Sequence, residues 1–180
     1  MNKSRILSTV FLLVVFLTIA LTALPGSASA SWELGIANLP DTATVSQTNQ
    51  TWEDSEVFRS EVIRLINLER TKNGLNPLEE SQTLTYMATI RAQESMNFFS
   101  HTRPDGADAF TIFSDYNLAY TAVGENLSSG FSSPAKLVEA WMTSESHQAN
   151  ILSDKFVCVG TGFYVDENKK IYCSQLFYRP

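Results

Sequence analysis

The chain has 180 residues, 44% of them hydrophobic and 11% aromatic, with 13 Lys and Arg against 19 Asp and Glu for a formal charge of −6. Eleven Phe supply enough bulky apolar surface to offset the ordering entropy of a core, which excludes a disordered chain. The acidic balance without any Lys/Arg run excludes a general nucleic-acid binder, and two Cys with 8 Gly exclude a disulfide miniprotein or a Gly-rich filament.

Lys3 and Arg5 precede an uncharged apolar run over residues 6–24, followed by Pro25, Gly26 and the small residues Ser27-Ala28-Ser29-Ala30. This is the pattern of an export signal over residues 1–30, cleaved after Ala30. The run also approaches the roughly 20 residues that cross a bilayer as a helix, so an uncleaved N-terminal anchor stands as the alternative and is the only membrane contact expected. Either way the leading positive charges stay in the cytoplasm, and the remainder is expected outside, secreted or anchored to the outer face of the membrane. Cleavage would remove Lys3 and Arg5 and no acid, leaving 11 basic against 19 acidic residues, or −8. Residues 31–52, with Pro40 and the tract TATVSQTNQT, have no period of 2 or 3.6 and read as a linker. The folded domain is then expected over 53–180.

Phe58, Val62, Leu65, Ile66 and Glu69 recur at helical spacing, predicting a first helix capped by Asp54 or Ser55 and stopped at Gly74. GLNPLEES reads as a loop. Ser81 is the expected N-cap of a second helix, QTLTYMATIRAQESMNFF, with Leu84, Met87, Ala88, Arg91, Ser95, Phe98 and Phe99 near one face. The small Ala and Ser on that face imply close packing. SHTRPDG is a turn by composition, with Pro104 at i+1, Asp105 at i+2 and Gly106 closing it. A short helix is predicted over Asp108 to Tyr116, an extended segment in AYTAVGENLSSG, and a helix opened by Ser133-Pro134 with Leu137, Val138 and Trp141 on one side. HQANIL adds a helical turn.

FVCVGTGFYV and KIYCSQLFY read as two strands joined by DENK. Helices first and strands last define an α+β class, with helices packed on a small antiparallel sheet. The loop places Val165 opposite Lys170, leaving Cys158 and Cys173 four residues out of step, roughly 13 Å at strand rise. That register opposes a disulfide, whereas an even Cys count outside the cell favours one.

Histidine occurs only at His101 and His147, each following a predicted helix inside a polar cluster. Taken singly, His101 reads as a helix-terminal residue favoured by the dipole, and His147 as a polar corner residue. Glu125 changes the balance, because Gly124-Glu125-Asn126 sets an acid between Val123 and Leu127 in an otherwise apolar stretch. A buried carboxylate is costly unless paired, and a metal or an imidazolium is the natural partner. No GxSxG, HExxH, GxGxxG or P-loop pattern is present, so the corresponding hydrolase and nucleotide chemistries lack their parts. Ser146 beside His147 is no nucleophile–base pair, since adjacent helical side chains point apart. Asn49-Gln50-Thr51 and Asn126-Leu127-Ser128 fit the glycosylation sequon, the second in a motif expected to fold inward.

Four stretches in order resemble the CAP superfamily (the SCP/pathogenesis-related-1-like domain), particularly its secreted bacterial branch: INLERTKNGLNPL at 66–78, FFSHTRPDG at 98–106, GENL at 124–127 with AWMTSESHQANIL at 140–152, and VGTGFYV with YCSQLF. The resemblance spans Val57 to Tyr178. It implies a three-layer α-β-α sandwich with a broad cleft lined by two His and two Glu, the His pair able to bind zinc or another divalent cation. His101, Glu125 and His147 match three of these positions, whereas Ser144 stands where the fourth acid would be. Glu145, next along, would point about 100° away on a continuing helix.

The candidate site is therefore His101, Glu125 and His147, with Asn126 and Glu145 beside them, and the metal-ligand set is His101, His147 and Glu125. Two imidazoles and one carboxylate are ordinary zinc ligands and leave a coordination position open. The expected function is an extracellular binding module for a divalent cation or a small ligand, in which case no reaction is implied. A small molecule, a lipid or an envelope component would fit as partner, although Trp141 is read as core and not as a lipid-pocket wall. Two rivals stand: a metal-dependent hydrolase of peptide, glycan or nucleic acid using Glu125 or Glu145 as base, and an envelope or matrix interaction protein acting through its outer surface.

Overall fold

The structure, a computed structural model, describes residues 52–180. The expected export signal (1–30), the Asn49 sequon and all but the last residue of the expected linker (31–52) lie outside the described residues. Helix α1 (Trp52–Lys72) starts ahead of the predicted cap, so Asp54 and Ser55 fall within its first turn. It stops where expected: Gly74 takes φ +75, and the following Leu75 N–H returns to the Arg70 carbonyl at 3.0 Å. Ser81 caps α2 (Gln82–Asn97), its hydroxyl accepting from the Leu84 N–H. A five-residue α3 (Thr111–Asp115) is shorter than predicted, and α4 (Pro134–Thr143) and α5 (Glu145–Ile151) follow. Ser133 is the N-cap residue of α4 and Pro134 its first helical residue, as the dipeptide predicts, although the Ser133 side chain makes no capping bond.

Strands β2 (Ala122–Ser129), β3 (Cys158–Val165) and β4 (Ile171–Arg179) pair antiparallel, with β4 in the middle. The stretch read as a loop contributes a fourth strand, β1 (Glu79–Glu80), which pairs parallel with β3. The sheet, ordered β1-β3-β4-β2, is therefore mixed. Two exposed glutamates show no alternation to read; the pairing comes from the β3 side, where the carbonyls of Val159 and of Val157, just ahead of the strand, accept from the Ser81 and Glu79 N–H groups at 2.9 Å.

The sheet separates two apolar cores. On one face Val62, Ile66, Leu137, Trp141 and Ile151 of α1, α4 and α5 pack against Val159, Cys173 and Phe177. On the other, Leu84, Met87 and Ala88 of α2 and Ile112 and Phe113 of α3 pack against Cys158, Leu176 and Tyr178. This is the α-β-α sandwich, and Trp141, 1% exposed, belongs to its core. Helix α2 lies directly on β3, since a Cβ on Gly160 would stand 2.2 Å from the Leu84 carbonyl carbon and one on Gly162 2.1 Å from the Thr89 nitrogen. Among the described residues no helix is long and apolar enough to cross a membrane.

Two further expectations need correction. The hairpin pairs Val165 with Ile171, not with Lys170, because Asp166 takes both the Asn168 and Lys170 N–H groups on its side chain and Lys169 adopts φ 63, giving a wider loop. Cys158 then lies opposite Tyr178 and Cys173 opposite Phe163, on opposite faces of the sheet, and both thiols are free and buried. Phe98 and Phe99 do not join the buried face of α2: the helix ends at Asn97, Phe98 turns to φ −145, and the two rings are 51% and 54% exposed.

Candidate functional site

The site forms where the end of α2, strand β2 and the start of α5 meet. Arg103 to Gly106 make the predicted turn, closed by the Gly106 N–H to the Arg103 carbonyl at 2.9 Å with Gly106 at φ +88. That turn follows His101, whose side chain is 61% exposed. Glu125 comes from β2, where its register opposite Leu176 directs it to the α2 side of the sheet.

The Glu125 carboxylate is fully buried and holds two partners. One is His101, whose Nδ1 lies 2.7 Å from Oε2. The other is Arg91 of α2, also fully buried, which donates from Nε to Oε1 at 2.8 Å and from Nη2 to Oε2 at 3.3 Å. An imidazole is thus one partner of Glu125, as its chemistry suggested, and a guanidinium is the second. The same guanidinium donates to Glu94 one turn along and to the Ser100 carbonyl at 3.0 Å. Glu94 also takes Arg103 at 2.8 Å, and Arg103 reaches Asp115 at 2.6 Å, so charges alternate from α3 to the site.

His147 lies in α5, partly buried, with its ring 6.5 Å from that of Trp141. Its backbone is tied to β2: Asn126, 0% exposed, donates to the His147 carbonyl at 3.3 Å, and Asn150 donates both to Asn126 Oδ1 at 2.9 Å and to the Glu125 carbonyl at 3.1 Å. Gly124 makes room for this, because a Cβ there would stand 2.9 Å from Phe156 Cζ and 3.1 Å from Asn150 Oδ1. Asn126 is therefore a buried connector, out of reach as a glycosylation acceptor. Glu145 opens α5 and is exposed, and Ser144, the N-cap of that helix, pairs with the Ser146 hydroxyl at 3.4 Å.

The imidazoles differ electrostatically. The hydrogen bond to Glu125 raises His101 above its ordinary value of 6.5, outweighing its partial burial. Burial lowers His147, and the charge of His101 lowers it further. As possible metal donors they are unequal to the expected trio. Both Glu125 oxygens are occupied by Arg91 and His101, and among the described residues no group of three or more His, Cys, Asp or Glu stands placed to hold a metal. Two imidazoles remain, each with a ring nitrogen that makes no protein hydrogen bond to Glu125. Arg91, Glu94, Arg103 and Asn150 were not among the residues singled out from sequence. Arg91 did carry a signal, the one charge on a helix face of apolar and small residues.

A three-layer α-β-α domain that holds an exposed histidine on a buried acid is of the CAP type. Residues 63–177 match the cysteine-rich secretory protein (CAP) family, and the chain belongs to it. It is 34% identical over 126 residues to the uncharacterized protein YkwD of Bacillus subtilis, an alignment covering 67% of this chain and 49% of that protein, so it spans about half the length of that relative. Its fold resembles an extracellular SCP-domain protein from Bacillus anthracis, with TM-score 0.64, 22% identity, and coverage of 74% of this chain and 45% of the other. It also resembles an outer surface protein of Borrelia burgdorferi, with TM-score 0.63, 23% identity, and coverage of 72% and 95%.

Proposed function

We propose that this chain is an exported CAP-domain binding module that takes a small ligand or a divalent cation at His101 and His147. The observation that carries the reading is a contrast: a fully buried Arg91–Glu125 pair supports a 61% exposed imidazole. Desolvating both members of an ion pair is costly, and such pairs contribute little net stability over apolar packing, so the arrangement reads as one kept for the group it presents. Export is supported by the signal pattern of residues 1–30 and by relatives described as extracellular or outer-surface proteins. A divalent cation would be held by His101 and His147 and would supply a Lewis-acid contact for a second ligand. Glu125 would orient His101 and not ligate. A hydrolase reading is weaker, since Glu125 is engaged, Ser144 stands in place of an acid, and Glu145 is exposed at a helix start. The outer-surface reading draws on Phe98 and Phe99, which stand exposed just before His101.

Calorimetric zinc titration at pH 7.5 and pH 5 tests the proposal. Zinc is expected to bind at the higher pH, to lose affinity at the lower one as imidazoles protonate, and to weaken at least about tenfold in His101→Ala. Equal affinity at both pH values, or in the variant, would sink it.

A further inference from the structure

We propose that Arg91 is the positioning residue of the two-histidine site, gripping His101 by its ring and by its backbone at once. The ring grip runs through Glu125. The guanidinium engages both carboxylate oxygens, at 2.8 and 3.3 Å, leaving Oε2 aimed at His101 Nδ1 at 2.7 Å. The backbone grip runs through Ser100, whose carbonyl accepts from Arg91 at 3.0 Å immediately before His101 in the chain. Glu94 joins the two arginines that flank the histidine, taking Arg91 from within α2 and Arg103 from the turn beyond His101.

A single planar fork spans these groups because guanidinium donors are fixed relative to one another, which a lysine ammonium cannot reproduce. The chemical consequence falls on the tautomer. An ionised carboxylate only accepts, so the neutral His101 ring carries its proton on Nδ1 and leaves the Nε2 lone pair for whatever approaches. Free histidine in water favours the opposite form, and it is the Arg91-locked carboxylate that reverses the preference. That Nε2 then serves a ligand rests on the function proposed above; that Arg91 sets the ring does not.

The chain holds two histidines, so ¹⁵N-histidine labelling of the untagged full chain gives two imidazole patterns to read. At alkaline pH, with both rings neutral, wild-type His101 is expected as the Nδ1–H form. Arg91→Lys keeps the charge and loses the fork: His101 should become a mixture with the Nε2–H form, and zinc affinity at pH 7.5 should fall about ten- to a hundredfold. Arg70→Lys is the control, because Arg70 is equally buried but donates to the Asn76, Ile151 and Ser153 carbonyls and makes no bond to His101, Glu125 or Ser100. It should leave the His101 pattern unchanged. If Arg91→Lys does not fold, the charge-neutral pair Arg91→Gln with Glu94→Gln, which keeps the Glu125 carboxylate, is read in the same way. An unaltered Nδ1–H pattern in a folded Arg91 variant, or the same shift in Arg70→Lys, overturns the assignment. Absence of zinc binding alongside a shifted tautomer would defeat only the ligand reading, and zinc binding alongside an unshifted tautomer only the positioning role.

Discussion

Arg91 and Glu125 each look misplaced in the sequence, a cation on the apolar face of a helix and an acid between Val123 and Leu127. Each explains the other, but their pairing is not legible from sequence because 34 positions separate them and nothing local predicts the register that turns Glu125 toward α2. The two histidines were legible as candidates; their unequal electrostatics were not, since these follow from that same pair. In metal-free protein, NMR titration of the two imidazoles should find His101 above 6.5 and His147 below it. The linked stabilities have opposite signs. A raised His101 adds stability that is present below its unfolded-state value and lost as pH rises through its folded one, whereas a lowered His147 withdraws stability as pH falls through its unfolded-state value. The 61% exposure of His101 keeps its contribution small through solvent screening. Coincident titrations, or the reverse order, would contradict the site's geometry.

The helices were readable where a local device marks them: the Ser81 cap, the Pro134 start and the Gly74 stop. Elements set by partners were not. Strand β1 exists because β3 offers its carbonyls, and Phe98 leaves the helix line at the C-cap, where the chain turns toward the Arg91-bound Ser100. The close packing suggested by Ala and Ser on α2 is real, but its other half lies in the β3 glycines, which admit the helix backbone itself. Gly162→Ala should accordingly destabilise by about 3 kcal/mol or more, the upper part of the usual overpacking range, because the contacted atom is backbone and cannot swing aside. Chemical denaturation monitored by circular dichroism measures it; a loss below about 1 kcal/mol would mean that α2 rides higher on the sheet than described.

For the whole molecule, the succession of helices followed by strands was enough to identify an α+β class, and four motifs in order pointed to the CAP family to which residues 63–177 belong. What linear order conceals is how β2 links two histidines 46 positions apart: Glu125 turns to His101 in the loop after α2, and Asn126 is tied to the His147 carbonyl of α5. The central claim is that these imidazoles serve one site. A double-mutant cycle on zinc affinity with His101→Ala, His147→Ala and the combined variant tests it most directly. One shared site predicts a single zinc per chain in the wild type and a double variant that loses little beyond the weaker single; two zinc ions per chain with independent, additive losses would contradict it.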